Sequence, residues 1–186
     1  MSIPILILRL EGVLQSWGER SRWDFRDTVL MPTKSGVVGI ISCAMGLSRG
    51  DEKIKQLFGN IEMGVRADRS GWLLEDFQTV TGERKFLYNA EGKKREGGPT
   101  ILTPCQYLQD ACFTVALSGD ELLLEQIRDA LFHPVWQIYL GRKSCVPSRP
   151  VYEALTNDYD SIPEAISKYP LCSRPNRMNG GYYLRE

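Results

Sequence analysis

Apolar positions run together in Pro4–Leu10 (PILILRL), a branched hydrophobic stretch that predicts a central strand. From Gly36 to Leu47 they are continuous again but interspersed with Gly39, Ser42, Ala44 and Gly46, the composition of a helix lying close on a sheet. Residues 61–80 predict two strands around a turn at Asp68-Arg69-Ser70-Gly71. Ala111–Leu117 (ACFTVAL) predicts a further strand, Glu121–Leu131 an amphipathic helix capped by Asp120, and Val135–Leu140 (VWQIYL) a last strand. Two polar stretches interrupt this series. EGVLQSWGERSRWDFRDTVLMP has no sustained period and reads as a long loop kept ordered by Trp17, Trp23 and Phe25. TGERKFLYNAEGKKREGGPTILTP carries five Lys/Arg, three Glu and four glycines, and predicts a protruding hairpin or a mobile loop.

The order strand, helix, strand, strand, insertion, strand, helix, strand approximates βαββαβ once one middle strand is set aside. It predicts an α+β, ferredoxin-like (RRM-like) antiparallel sheet with two helices on one face and the other face open. The expected domain covers residues 1–150, with the insertion at about 80–103. Residues 151–186 form a tail whose structure the pattern does not give; five prolines occur from Pro147 onward.

Composition narrows the class. The chain has 186 residues and 42% hydrophobic residues, enough for one domain with a real core. No run reaches the roughly 18 apolar residues that a membrane span needs, and MSIPILILRLEG lacks the basic leader and cleavage site of a signal peptide. Five cysteines, with no C-x-x-C pair, suggest reduced thiols in a cytoplasmic protein and neither a disulfide frame nor a zinc ribbon. Net charge is zero, from 23 basic and 23 acidic residues, which argues against indiscriminate coating of nucleic acid. Local basic patches remain open.

Three such patches stand out. In MPTKSGVVG, Lys34-Ser35 follows Pro32-Thr33 without the glycine of a Walker A loop, so a P-loop is excluded. Thr33 or Ser35 at a helix start, with unpaired N–H groups and Lys34 beside them, makes a phosphate seat, although a capped helix with a solvated lysine fits the same motif. In the preceding loop Arg20, Arg22 and Arg26 alternate with Trp17, Trp23 and Phe25, suited to phosphates and unpaired bases, or to core aromatics beside surface arginines paired with Glu19, Asp24 and Asp27. Gly141-Arg142-Lys143-Ser144 is a third, in a stretch from His133 to Pro150 with three basic residues and no acidic one. Arg84 and Lys85 add charge at the insertion. The single histidine, His133, sits at a helix end where packing explains it. No catalytic motif, metal cluster or cofactor signature is present, although Tyr and Lys would suffice for a metal-independent ribonuclease.

The blocks LEGVLQSWGERSRWDFRDTVLMPTKSGVVGIISCAMGL, EDFQTVTG, TILTPCQYLQDACFTVALSGD and YLGRKSCVPSRPV, in this order, resemble the CasD subunit family of the type I-E CRISPR Cascade complex. That family is the five-prime-handle-capping branch of the RAMP superfamily. The resemblance implies an RRM-like core, a thumb-like hairpin at about 80–103, and a non-catalytic subunit that grips the 5′ handle of CRISPR RNA in antiviral defence. It implies a backbone subunit (CasC type) and a large subunit (CasA type) as partners, target DNA reached through the assembled complex, and no membrane. Endoribonucleolytic processing of precursor RNA, found in a related branch, is the alternative. On this reading Arg22, Arg26, Lys34, Ser35, Arg84, Lys85, Arg142, Lys143 and Ser144 are the expected RNA-binding residues. Trp17 is either a stacking platform or a loop anchor.

Overall fold

The computed structural model describes residues 3–20, 22, 24–82, 87, 88, 91–94 and 100–172. Its main sheet contains β1 (Ile5–Glu11), β3 (Glu62–Arg69), β6 (Cys112–Ser118) and β7 (Tyr152–Thr156), in the order β3-β6-β1-β7. All neighbours are antiparallel. The helices α1 (Lys34–Ala44), α2 (Glu52–Asn60) and α3 (Glu121–Phe132) lie in the two crossovers. Taking β1, β3, β6 and β7 as the four strands of βαββαβ gives the 2-3-1-4 spatial order of the ferredoxin-like fold, as the sequence predicts.

Strand alternation sorts β1 between two cores. Leu6, Leu8 and Leu10 are fully buried with Val37, Ile41, Leu124 and Ile127 from α1 and α3. Ile5 and Ile7 point the other way, into a smaller cluster with Ala116 and with Ala165 of α4 (Ile162–Lys168). The second face is therefore covered, contrary to the expected open face. Gly64 permits this approach, since a Cβ there would stand 2.4 Å from Ile162 Cγ2. The sheet's fourth strand and α4 both lie beyond residue 150, so the boundary expected there cuts through the sheet.

Farther along the same face, apolar cover gives way to a buried ionic network. The Arg9 and Arg66 guanidinium groups both donate to the fully buried Asp68 carboxylate, which also accepts from Thr114 Oγ1 (2.9 Å) and the Cys172 N–H (2.7 Å). Arg66 and Arg9 donate further to the carbonyls of Ile166 within α4 and of Tyr169 and Pro170 just after it, and so tie α4 and the segment 169–172 to the sheet. Burial opposes ionisation of Asp68, but the bonds from Arg66, Cys172 and Thr114 outweigh it and hold the carboxyl below its ordinary range.

A second, three-stranded sheet takes one short strand from just after β1 and two from a hairpin inserted between β3 and β6, the hairpin's second strand lying in the middle. It comprises β2 (Leu14–Gln15), β4 (Trp72–Thr81) and β5 (Thr100–Gln109), with β4 and β5 in unbroken register from Trp72↔Gln109 to Thr81↔Thr100. The insertion thus spans a hairpin from 72 to 109, wider than the expected 80–103. The two strands expected in 61–80 exist but belong to different sheets. Val135–Leu140 is not a strand: Val135 is 63% exposed, and the segment crosses the surface as a loop tied by Val135 N–H to Ala44 O (2.9 Å) and Leu140 N–H to Cys145 O (2.7 Å). Among the described residues no helix is long and apolar enough to cross a membrane.

Candidate nucleic-acid interface

The loop between β2 and α1 is held by its own polar groups. Trp17 is buried, its N–H donating to Thr28 Oγ1 (2.8 Å) and its carbonyl accepting from Val29 N–H (2.9 Å). Its indole N–H reaches Gln15 Oε1 (3.2 Å), and Gln15 donates to the carbonyls of Leu10 and Ala111. Every polar group of this aromatic anchor is satisfied inside the fold.

Farther along the loop, Arg26 is laid against β5 as if it were a strand residue. Its N–H donates to Pro104 O (2.9 Å) and its carbonyl accepts from Gln106 N–H (2.7 Å). Arg142 fastens this arrangement. Its guanidinium stacks over the Tyr107 ring at 4.6 Å and donates to the carbonyls of Gln106 (2.9 Å), Arg26 (2.9 Å) and Asp27 (3.2 Å). The sequence suggests a fork open to phosphate; the structure directs that fork at backbone carbonyls, so Arg142 is a clasp. Gly141 has φ +99°, and a Cβ there would sit 1.7 Å from Ser16 O. The glycine expected to admit a ligand instead admits the chain's own backbone, and no other residue fits.

At the start of α1, Thr33 is the N-cap and its Oγ1 accepts from Gly36 N–H (3.2 Å). Ser35 Oγ stands 3.2 Å from the same oxygen. The helix mouth, the arginine loop and the Gly141-Arg142 corner meet around one open cleft of about 570 Å³, lined by Trp17, Arg26, Ser35, Arg49, Gly141 and Arg142 among others. A second depression of about 460 Å³, on the hairpin side, shares Arg26 and Arg142 and adds Gln78, Val80, Ile101 and Thr103. The cleft lining includes three arginines and, among the described residues, no carboxylate. Arg26 and Arg49 side chains make no hydrogen bond or ion pair among the described residues, so their charge is left to solvent or a ligand. Such an arrangement suits an anionic strand: helix N–H groups, two forks and hydroxyl donors converge on one space.

Not every expected residue is there. Lys34 holds its Nζ 4.5 Å from the centroid of the Phe58 ring on α2 and does not line the cleft, because the aromatic face attracts the ammonium. Arg22 is exposed, with its N–H on Phe25 O (2.8 Å), and also lies outside the lining. Lys143 and Ser144 are exposed in the turn after Arg142, again outside it. Arg84, Lys85 and Trp23 fall outside the described residues. Arg49, in the turn between α1 and α2, was not anticipated, since nothing along the chain associates it with residues 20–35; its one signal is a cation beside Gly50 at a helix connection. His133 caps the C-terminus of α3, its N–H on Asp129 O (3.1 Å), away from the cleft lining. Elsewhere, Glu11, Cys112 and Cys172 bring possible ligand atoms within 4.8 Å of one another. Arg69 already donates to Glu11 (2.5 Å) and Cys172 Sγ (3.5 Å), so a guanidinium stands where a cation would have to enter.

A family model described as CRISPR-associated protein (Cas_Cas5) matches residues 5–178. The chain is 33% identical over 159 residues to the CRISPR system Cascade subunit CasD of Escherichia coli (strain K12), covering 79% of this chain and 69% of that protein. Among solved structures it is similar to a chain of a CRISPR RNA-guided surveillance complex, with a TM-score of 0.70 and 41% identity over 80% of this chain and 61% of the other. A crystal structure of a Cas protein gives a TM-score of 0.58 and 40% identity, with 80% and 62% covered. The chain thus spans about three fifths of the length of these two solved chains. With the ferredoxin-like order and the inserted hairpin in place, the matched span of residues 5–178 takes in every element of the fold: the chain belongs to the Cas5 family of CRISPR-associated proteins.

Proposed function

We propose that this chain is a non-catalytic, cytoplasmic RNA-binding subunit of a Cascade-type surveillance complex, and that its cleft grips the 5′ handle of CRISPR RNA. The observation that carries this reading is the convergence of three segments, distant in sequence, on a cleft with three arginines and no acidic lining residue among those described. A single-stranded handle presents splayed bases and phosphates, and Arg26 and Arg49 offer bidentate donors to the phosphates. Arg142 contributes field and holds the loop that aims Arg26. Ser35 and the α1 N-terminus add neutral donors. Lys34, Lys143 and Arg22 supply charge outside this centre, and Ser144 a neutral hydroxyl; Arg84 and Lys85, which lie outside the described residues, are expected to add RNA contacts. Backbone (CasC type) and large (CasA type) subunits are the protein partners on this reading, and target DNA is met only through the complex.

Binding of handle-containing RNA to the full chain, measured by anisotropy across a salt series, tests the proposal. Contact with about four to six phosphates of a single strand gives a log–log slope of about −3 to −4. Arg26→Ala weakens binding by about 1–3 kcal/mol. Affinity indifferent to salt and to Arg26 removes the site. The nuclease alternative has its imidazole, His133, outside the cleft lining; metal-independent cutting of repeat RNA by the purified chain would establish that alternative instead.

A further inference from the structure

On the sheet face covered by α4, two cysteines from remote parts of the chain meet. Cys112 opens β6 and is fully buried; Cys172 follows α4 and is half-buried, and their sulfurs lie within 4.8 Å of each other. Cys172 belongs to the segment that Arg9, Arg66 and Asp68 tie to the sheet. Its surroundings suit reaction at sulfur: Arg69 Nη1 stands 3.5 Å from Cys172 Sγ, and Glu11 Oε2 accepts from the thiol at 3.4 Å. Thiol–disulfide exchange starts at the sulfur a small oxidant can reach, and of the two Cys172 is the half-buried one while Cys112 is fully buried. Burial, followed by the neighbouring Cys172, pushes the Cys112 thiol well up, and the charge of Arg69 offsets only part of this. The two sulfurs therefore differ in role: the accessible one attacks, and the buried one resolves.

We propose that Cys112 and Cys172 form an oxidation-sensitive thiol pair that closes into a disulfide on exposure to a small disulfide oxidant, fastening segment 169–172 covalently to β6. The Cys172 thiolate attacks one sulfur of oxidised glutathione, forming a mixed disulfide and releasing one glutathione thiolate. Cys112 then attacks Cys172 Sγ, breaking that mixed disulfide; its proton goes to the departing glutathione. Two protein thiols and one oxidised glutathione become one protein disulfide and two reduced glutathiones.

The full chain is incubated with oxidised glutathione, alkylated and mapped by peptide mass spectrometry. The expected product has lost two of its five thiols, links the peptides containing residues 112 and 172, and reverts with dithiothreitol. Cys112→Ser should accumulate a glutathione adduct on Cys172, the resolving thiol being absent, while Cys172→Ser leaves Cys112 unmodified. Amide exchange at Cys172 should slow on oxidation of the parent chain. Linkage through Cys43, Cys105 or Cys145, adducts without a crosslink in the parent chain, or five thiols remaining each overturn the proposal, and the parent-chain map decides even if a variant does not fold.

Discussion

Replacing Arg142 with alanine separates holding the cleft together from gripping a ligand. The substitution removes three hydrogen bonds to backbone carbonyls at 2.9, 2.9 and 3.2 Å and a guanidinium stacked at 4.6 Å over Tyr107. The residue is half-buried, so the lower range applies: about 1 kcal/mol for each bond and about 0.5 kcal/mol for the stack, together about 3–4 kcal/mol. For a domain of this size that lowers the thermal midpoint by roughly 6–15 °C. Arg142→Lys keeps the charge but loses the fork and is expected to recover less than half of that loss. Arg26→Ala removes a side chain with no hydrogen bond or ion pair among the described residues, so its stability should stay within about 0.5 kcal/mol of the parent, since such surface changes are small. Differential scanning calorimetry of the three variants, paired with RNA-binding isotherms, gives both axes. An Arg142→Ala chain as stable as the parent would refute the clasp and return Arg142 to the phosphate-gripping role suggested by the sequence.

Other outcomes follow from the same geometry. Gly141→Ala must move either Cβ or Ser16 O from a 1.7 Å approach at φ +99°; a loss of at least about 3 kcal/mol is expected, read as insoluble expression or an early urea midpoint. Thr33→Ala deprives Gly36 N–H of its cap and should cost about 1 kcal/mol in urea unfolding, with α1 otherwise intact. Asp68→Asn leaves two buried guanidinium groups short of a counter-charge and should cost about 3–5 kcal/mol at pH 7. Asp68 is held below its unfolded-state value, so its contribution is fully present above about pH 4 and is lost as pH falls through the folded-state value. Urea midpoints between pH 7 and pH 3 should therefore fall more steeply for the parent than for Asp68→Asn.

The sequence made the sheet's centre legible and its margins obscure. β1, β6, α1 and α3 announce themselves because they are buried over long runs and carry plain caps at Thr33 and Asp120. β5 is masked by Pro104, which interrupts a strand pattern; the structure accommodates it where β2 no longer flanks β5 and Arg26 N–H donates to its carbonyl. VWQIYL has strand composition, but its alternation serves anchoring at a few points of an exposed loop. β7 and α4 are short, half-buried and set among prolines, so periodicity had little to register. In the site, the three converging segments were legible from charge and glycine placement. What was not legible was side-chain allegiance: whether Lys34 turned to Phe58, whether Arg142 turned inward, and that Arg49 arrived from another connection.

The central position of β1 has a consequence for biosynthesis. Both strands that flank it, at 112–118 and 152–156, are translated only after 100 or more further residues. At about 5–20 residues per second, a ribosome leaves that greasy heptapeptide without a sheet partner for about 5–20 s. Chaperone capture of nascent chains should accordingly be heaviest before β6 emerges, and circular permutants that synthesise β6 and β7 first should need it least.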